Sequence, residues 1–295
     1  MSGKLKEVRE RMKSVQSTQQ ITSAMKMVSA AKLRKAQDGI IRLRPYSRKF
    51  DQILQHLLDS LEESIDTPFA DKREVKNAVV VVMTSDRGLC GAFNTNIIKE
   101  AVALIDEKYA EVRAAGNLSI ICIGKRGFDF FRKKYSDCNI ISDHVGLFQN
   151  IKYLEVEKVV NGLLDKFIEQ EYDAVDLVYS RFKNPATQFP EAIQLLPVPI
   201  KEEKVKAARA DYIFEPSKDV LLSHLIPSIL RTDFYRCMLD TSASDHGARM
   251  TAMEKATENA KELLQDLRIT YNKARQEAIT TELSEIVGGA AALEG

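Results

Sequence analysis

A chain of 295 residues that is 44% hydrophobic has the size of about two domains and enough apolar material for at least one real core. Its longest strongly apolar run, Ala78 to Met83, is far short of the ~20 residues a membrane-spanning helix needs. Cys90, Cys122, Cys138 and Cys237 form no Cys-x-x-Cys pair and have no histidine cluster beside them, which argues against zinc and against a disulfide framework.

The net charge of +1 hides an asymmetry. Residues 1–50 hold 13 Lys or Arg against Glu7, Glu10 and Asp38, whereas residues 241–295 hold six basic and nine acidic side chains. Two segments of opposite charge suit each other as antiparallel helical partners. The basic start reads as an uninterrupted helical pattern without a leader, and a cytosolic or peripheral protein is expected.

From Lys4 to Asp38 there is no Gly or Pro, and Leu5, Val8, Met12 and Val15 open a three-four spacing. In the stretch from Ile21 to Ala36 the apolar residues Ile21, Ala24, Met25, Met27, Val28, Ala30, Ala31 and Leu33 spread round most of a helix, which predicts burial on more than one face. A single antiparallel partner covers one face, so additional chains are expected around this segment. Basic residues interleaved with small apolar ones, and no aromatic before Tyr46, make a nucleic-acid or membrane surface the poorer reading. Pro45 is expected to interrupt the helix, which resumes at Phe50, Ile53, Leu54, Leu57, Leu58 and Leu61. Thr67 to Lys76 reads as a linker.

The grammar then changes. Strands are expected over Asn77–Met83, Leu118–Ile123, Asn139–Ser142, Ala174–Phe182 and Ala192–Pro199, and helices over Asn96–Ala114, Phe128–Tyr135 and Tyr153–Glu169. That alternation predicts an open, Rossmann-like α/β sheet. After a cap at Ser217, a helical pattern passes Pro227 with a possible kink there, and Thr241 to Gly247 reads as a soft spot. From Ala248 onward no Gly or Pro occurs before Gly288, and Met250, Met253, Thr257, Ala260, Leu264, Leu267, Tyr271, Ala274 and Ala278 alternate in threes and fours. A helix of that length reaches roughly 60 Å and needs another long helix or other chains to pack on. The fold class is therefore mixed: a long antiparallel coiled coil of N- and C-terminal helices with an inserted Rossmann-like α/β domain, with boundaries expected at 1–66, 77–210 and 217–295.

Two loops sit where α/β enzymes hold phosphates, Ser85-Asp-Arg-Gly-Leu-Cys-Gly91 and Gly124-Lys-Arg-Gly127. Neither has the Gly-x-Gly-x-x-Gly or Gly-x-x-x-x-Gly-Lys-Ser/Thr spacing, so both read first as turns with structural glycines. Cys90 as a nucleophile lacks a nearby histidine base. His56 and His224 read as helix-surface or packed residues, His246 as a cap beside Gly247, and the pairs Glu254/Glu258 and Glu282/Glu285 as solvated faces. A nucleotide-dependent α/β enzyme with a helical dimerisation arm is the alternative these loops leave open.

The run Tyr271-Asn-Lys-Ala-Arg-Gln-Glu-Ala-Ile-Thr-Thr-Glu-Leu-Ser-Glu-Ile-Val-Gly-Gly-Ala290 resembles the signature of the gamma subunits of rotary ATP synthases. Gln19 to Arg34, Thr84 to Asn94 and Ala248 to Ala260 resemble the same family in the same order, so the likeness covers the whole chain. It implies a central rotor shaft, turned by proton or sodium flow, whose helical pair enters a hexamer of alternating alpha and beta subunits. The α/β domain then contacts the epsilon subunit and the membrane c-ring. No catalytic residue, cofactor, metal or nucleic acid is implied. Carried over position by position, Met25, Arg249, Arg275, Gln276, Thr280 and Glu282 fall at contacts with beta subunits, and Tyr212 and Glu215 at the loop facing the ring. Between Val198 and Ser217 there is no cysteine, unlike the redox-switched plastid members, and a bacterial protein on the cytoplasmic face of the membrane is expected ahead of a processed mitochondrial one on the matrix side.

Overall fold

The computed structural model describes residues 3–59, 68–71, 73–198 and 218–294. By internal contacts the chain divides into two compact units, one of residues 1–29 with 249–295 and one of residues 30–248. Two helices contribute to both units: α1, Gly3–Asp59, and α6, Lys218–Glu294.

In the first unit the two helices run antiparallel. Lys4 pairs with Glu277, Arg9 with Tyr271, Thr22 with Thr257 and Lys26 with Glu254, so one number falls as the other rises. The seam on α6 is the one its spacing predicts: Met253, Ala260, Leu264, Leu267 and Ala274 are buried and Thr257, Tyr271 and Ala278 half-buried, while the other residues from Lys261 to Ala290 are exposed. Leu5, Val8, Met12, Val15, Thr22 and Ser29 supply the facing side.

The second unit is built on a five-stranded sheet in the order β3-β2-β1-β4-β5. Its strands are β1 (Ala78–Met83), β2 (Leu118–Ile123), β3 (Asn139–Ile141), β4 (Ala174–Asn184) and β5 (Thr187–Leu196). The first four are parallel, and β5 folds back on β4 as an antiparallel edge strand. The central strands are apolar on both sides because both faces are covered. Ala78, Val80 and Val82 face a core shared with α2 (Phe93–Lys108), α3 (Ala110–Ala114) and α4 (Lys125–Lys134). Val79, Val81 and Met83 face α5 (Tyr153–Ile168) and the Leu222, Ile226, Leu230, Phe234 and Met238 side of α6.

Three expectations are corrected. Pro45 does not interrupt α1, and Pro227, where a kink was expected, lies within a continuous α6. An internal proline costs about 3 kcal/mol. Around Pro227 the buried Leu222, Ile226, Ile229 and Leu230 bury enough apolar surface to offset it, and around Pro45 the half-buried Leu43, Ser47 and Phe50 keep one face packed. Thr241 to Gly247 is helical throughout and largely buried, so His246 sits inside a helix, 3.7 Å from Asp245, and not at a helix end. Small polar residues look like a loop in sequence because they also suit close contact with another backbone. Lastly, the final strand begins at Thr187, ahead of the expected Ala192. The cap expected at Ser217 lies outside the described residues.

Candidate interaction surface

The loop after β1 and the loop after β2 are stitched to one another. Gly127 N donates to Thr84 Oγ1 at 2.8 Å, Arg126 N to the Ser85 carbonyl at 3.1 Å, and Lys125 N to Asp86 Oδ1 at 3.2 Å. These are the first amides of α4, the groups a phosphate would need, and all three are taken. Gly124 holds φ +102°, and a Cβ there would lie 2.0 Å from the Thr84 carbonyl oxygen. The β1 loop closes on itself as well. Ser85 N donates to Asn94 Oδ1 at 2.9 Å, and Asn94 Nδ2 donates to Ser85 Oγ at 2.8 Å and Cys90 Sγ at 3.1 Å. Cys90 is buried.

A doubly wound sheet binds ligands beyond the carboxyl ends of its strands, where the strand order reverses. Here that point lies between β1 and β4. β4 pairs with β1 only as far as Val178, so the main chain of Ser180 extends past the ladder. α6 fills the gap: Ser180 N donates to Thr241 Oγ1 at 3.3 Å, and Ser244 Oγ donates to the Ser180 carbonyl at 3.1 Å. A Cβ at Gly247 would stand 3.1 Å from Pro185 Cα, so the helix approaches the β4–β5 turn as closely as a glycine allows. The place where the fold receives a nucleotide is occupied by the chain's own helix.

The thiols are likewise unsuited to chemistry. Burial pushes Cys122 up to about 12 and also raises Cys237 and Cys138. Among the described residues no group of three or more His, Cys, Asp or Glu could hold a metal ion, and no helix is long and apolar enough to cross a membrane.

What remains is the outer surface of the helical pair. In α1 the seam residues Thr22 and Ser29 are buried, yet Ile21, Met27 and Val28 are 57, 65 and 57% exposed. At about 100° per residue these three, with the exposed Ala24 and Ala31, form a broad apolar face opposite the seam. A second such face begins where the α6 seam ends. Ile279, Leu283, Ile286 and Val287 are 50 to 67% exposed and share one stripe, turned by roughly 130° from the Tyr271–Ala278 seam. Their spacing was legible in the sequence but belonged to no seam, so pattern reading passed over it.

Of the residues singled out by family resemblance, four lie on this surface and two at the seam. Met25 is half-buried at the edge of the α1 seam, and Arg249 is buried at the start of the α6 segment. The Lys26–Glu254 pair sets them within about two helical turns of one another along the pair. Arg275, Gln276, Thr280 and Glu282 are exposed. Thr280 Oγ1 donates to the Gln276 carbonyl at 3.0 Å, and both residues line a shallow groove with Lys273, Glu277 and Thr281. Arg275 and Glu282 share another face, two turns apart. Tyr212 and Glu215 lie outside the described residues.

The polar bonds across the seam differ in exposure. The Lys4–Glu277 pair spans 3.0 Å but both side chains are more than 60% exposed, so it contributes little to stability. The Thr22 and Thr257 hydroxyls lie 2.8 Å apart at a part-buried position, each within reach of a carbonyl on its own helix. Register is therefore set by the apolar seam, and the hydroxyl pair adds a specific contact.

A family model described as ATP synthase matches residues 4–293. The ATP synthase gamma chain of Cytophaga hutchinsonii is 50% identical over 292 residues, covering 98% of both chains. That of Flavobacterium johnsoniae is 47% identical over 99% of both. Among solved structures, a chain of the mitochondrial ATP synthase of Euglena gracilis has a similar fold, with a TM-score of 0.69 at 22% identity over 99% of this chain and 95% of that one.

Proposed function

The chain belongs to the ATP synthase gamma-chain family, and from that premise we propose that it is the central rotor shaft of a rotary ATP synthase. The observation that supports this most directly is the pair of unpartnered apolar faces, Ile21/Met27/Val28 on α1 and Ile279/Leu283/Ile286/Val287 on α6. A coiled coil that needed only itself would be polar outside its seam. These faces suit enclosure by other subunits, the alpha and beta chains of a catalytic hexamer. Proton or sodium flow through the membrane sector turns the shaft.

The shaft works by population shift. A rotor alters catalysis only if it interacts differently with the open and closed conformations of a beta subunit. Met25, Arg249, Arg275, Gln276, Thr280 and Glu282 are the proposed contacts. The stripe near the end of α6 is apolar, and beside it Thr280, Thr281 and Ser284 hydrogen-bond within their own helix. Such a surface slides, because no directional bond to a neighbour has to break at each step. The chain itself breaks no bond and carries no cofactor in this reading. The α/β unit meets the epsilon subunit and the c-ring, through Tyr212 and Glu215 in the latter case, on the cytoplasmic face of a bacterial membrane. The domain limits are 1–66, 77–210 and 217–295.

The test is reconstitution. The chain is expected to co-purify in fixed stoichiometry with alpha and beta subunits, and ATP hydrolysis is expected to turn a bead attached to its α/β unit. A hexamer whose ATPase is indifferent to this chain sinks the proposal. The enzyme alternative predicts saturable binding of ATP or NAD by the isolated chain in calorimetry, which the filled switch point and the occupied α4 amides disfavour.

A further inference from the structure

The ten residues of α4 carry Lys125, Arg126, Arg132, Lys133 and Lys134 against the single acid Asp129. All five cations are exposed, and none has a carboxylate within ion-pair distance among the described residues. By contrast Arg113, beside this helix, is engaged by Asp137 at 2.7 Å. Arg132 is stacked 5.2 Å over the Phe128 ring, and Lys134 lies 5.3 Å over Phe130. At about 100° per residue Lys125, Arg126, Arg132 and Lys133 share one arc, opposite the buried Gly127 and Phe131.

The helix field accounts for three of these charges and opposes two. Cations are stabilised in the last turn, where Arg132, Lys133 and Lys134 sit, and disfavoured in the first, where Lys125 and Arg126 sit. A helix shaped for its own stability would not carry a basic first turn. The arc also lacks an exposed apolar residue that could enter a headgroup layer, since Phe131 is buried and Phe128 and Phe130 are half-buried under cations. Arg132, held over the Phe128 ring, loses little freedom on pairing, which suits a carboxylate fixed on a protein better than a fluid surface.

We propose that the outer arc of α4 is a docking surface for an acidic segment of a partner protein, its Asp and Glu carboxylates pairing with Lys125, Arg126, Arg132 and Lys133. The proposal rests on the rotor reading for the existence of partner subunits; the surface itself is drawn only from α4.

Carbodiimide coupling of the purified multi-subunit complex joins lysine amines to carboxylates in contact, and mass spectrometry reads the sites. Links from Lys125 or Lys133 to another subunit are expected at low salt and should fade as ionic strength rises. The double variant Arg126→Glu/Arg132→Glu is expected to cut their yield by about fivefold or more, since like charges repel the segment. Its circular dichroism and unfolding curve should match the parent's. An assembled, ATP-hydrolysing complex without such links overturns the proposal and leaves the rotor reading intact. Failure to assemble at all overturns both. Sedimentation of the full chain with phosphatidylglycerol vesicles, abolished by the same variant, assigns the arc to lipid and also overturns it.

Discussion

At Gly124 a single hydrogen atom decides whether two loops can meet. Its φ of +102° and the 2.0 Å approach of a would-be Cβ to the Thr84 carbonyl leave no relaxation route except parting β1 from β2. Gly124→Ala is expected to cost about 3 kcal/mol or more in urea unfolding. Gly91→Ala has the strain of φ +60° but open space around it, so about 1 kcal/mol is expected. Gly162→Ala lies in α5 with nothing within 4 Å and should stabilise by about 0.5 kcal/mol. Equal costs at Gly124 and Gly91 would rule out the loop-to-loop contact as the cause. Asp240 is a residue the sequence did not mark. Burial, aided by Glu191, raises its carboxyl from 3.8 to about 6 against the pull of Arg236, Arg181 and Arg44. A native pKa above the unfolded one means the folded state holds the proton longer, so stability present below pH 4 is lost as pH rises through about 6. Asp240→Asn should remove that slope, a difference of about 2 kcal/mol between pH 4 and pH 7 relative to the parent. A parent-minus-variant difference that is flat with pH refutes it.

Among the elements, α6 shows both how far a pattern can be read and where reading stops. Its seam from Met253 to Ala278 was legible because a two-helix interface imposes one period on residues that have little else to pack on. Leu267→Ala is therefore expected to lower the stability of the helical pair by about 2–3 kcal/mol, while Ile269→Ala, 56% exposed, stays within about 0.5 kcal/mol. Helical circular dichroism during unfolding measures both. Upstream, from Thr241 to Gly247, the same helix packs on strand β4 and the period disappears. Small and hydroxyl-bearing residues there answer the unpaired main chain of Ser180, a demand that arises only once β1 has ended short of β4. The proline at 45 misleads for a related reason: a local penalty of fixed size is offset by packing of the helix face around it, which local sequence does not show.

For the molecule as a whole, the apolar faces outside the seam carry the functional prediction. Removing residues 281–295 deletes Leu283, Ile286 and Val287, all exposed, so the chain's own unfolding curve should scarcely move. ATP synthesis by the reconstituted complex is expected to fall by about tenfold, corresponding to about 1.4 kcal/mol of lost differential contact. An unchanged rate reduces the chain to a passive scaffold. The sequence by itself determined the strands and their alternation with helices, the antiparallel seam, the absence of a phosphate-binding spacing and the family, since each is written in local period or in motif. Only the tertiary structure decided that the switch point is closed by α6, that α4's first amides are spent on the β1 loop, and that the α1 apolar girdle lacks a partner within its own unit. Those facts depend on which backbone groups are left unpaired when strands of unequal length meet, and on which faces remain bare when two helices have chosen a seam. Neither quantity exists until the chain has folded.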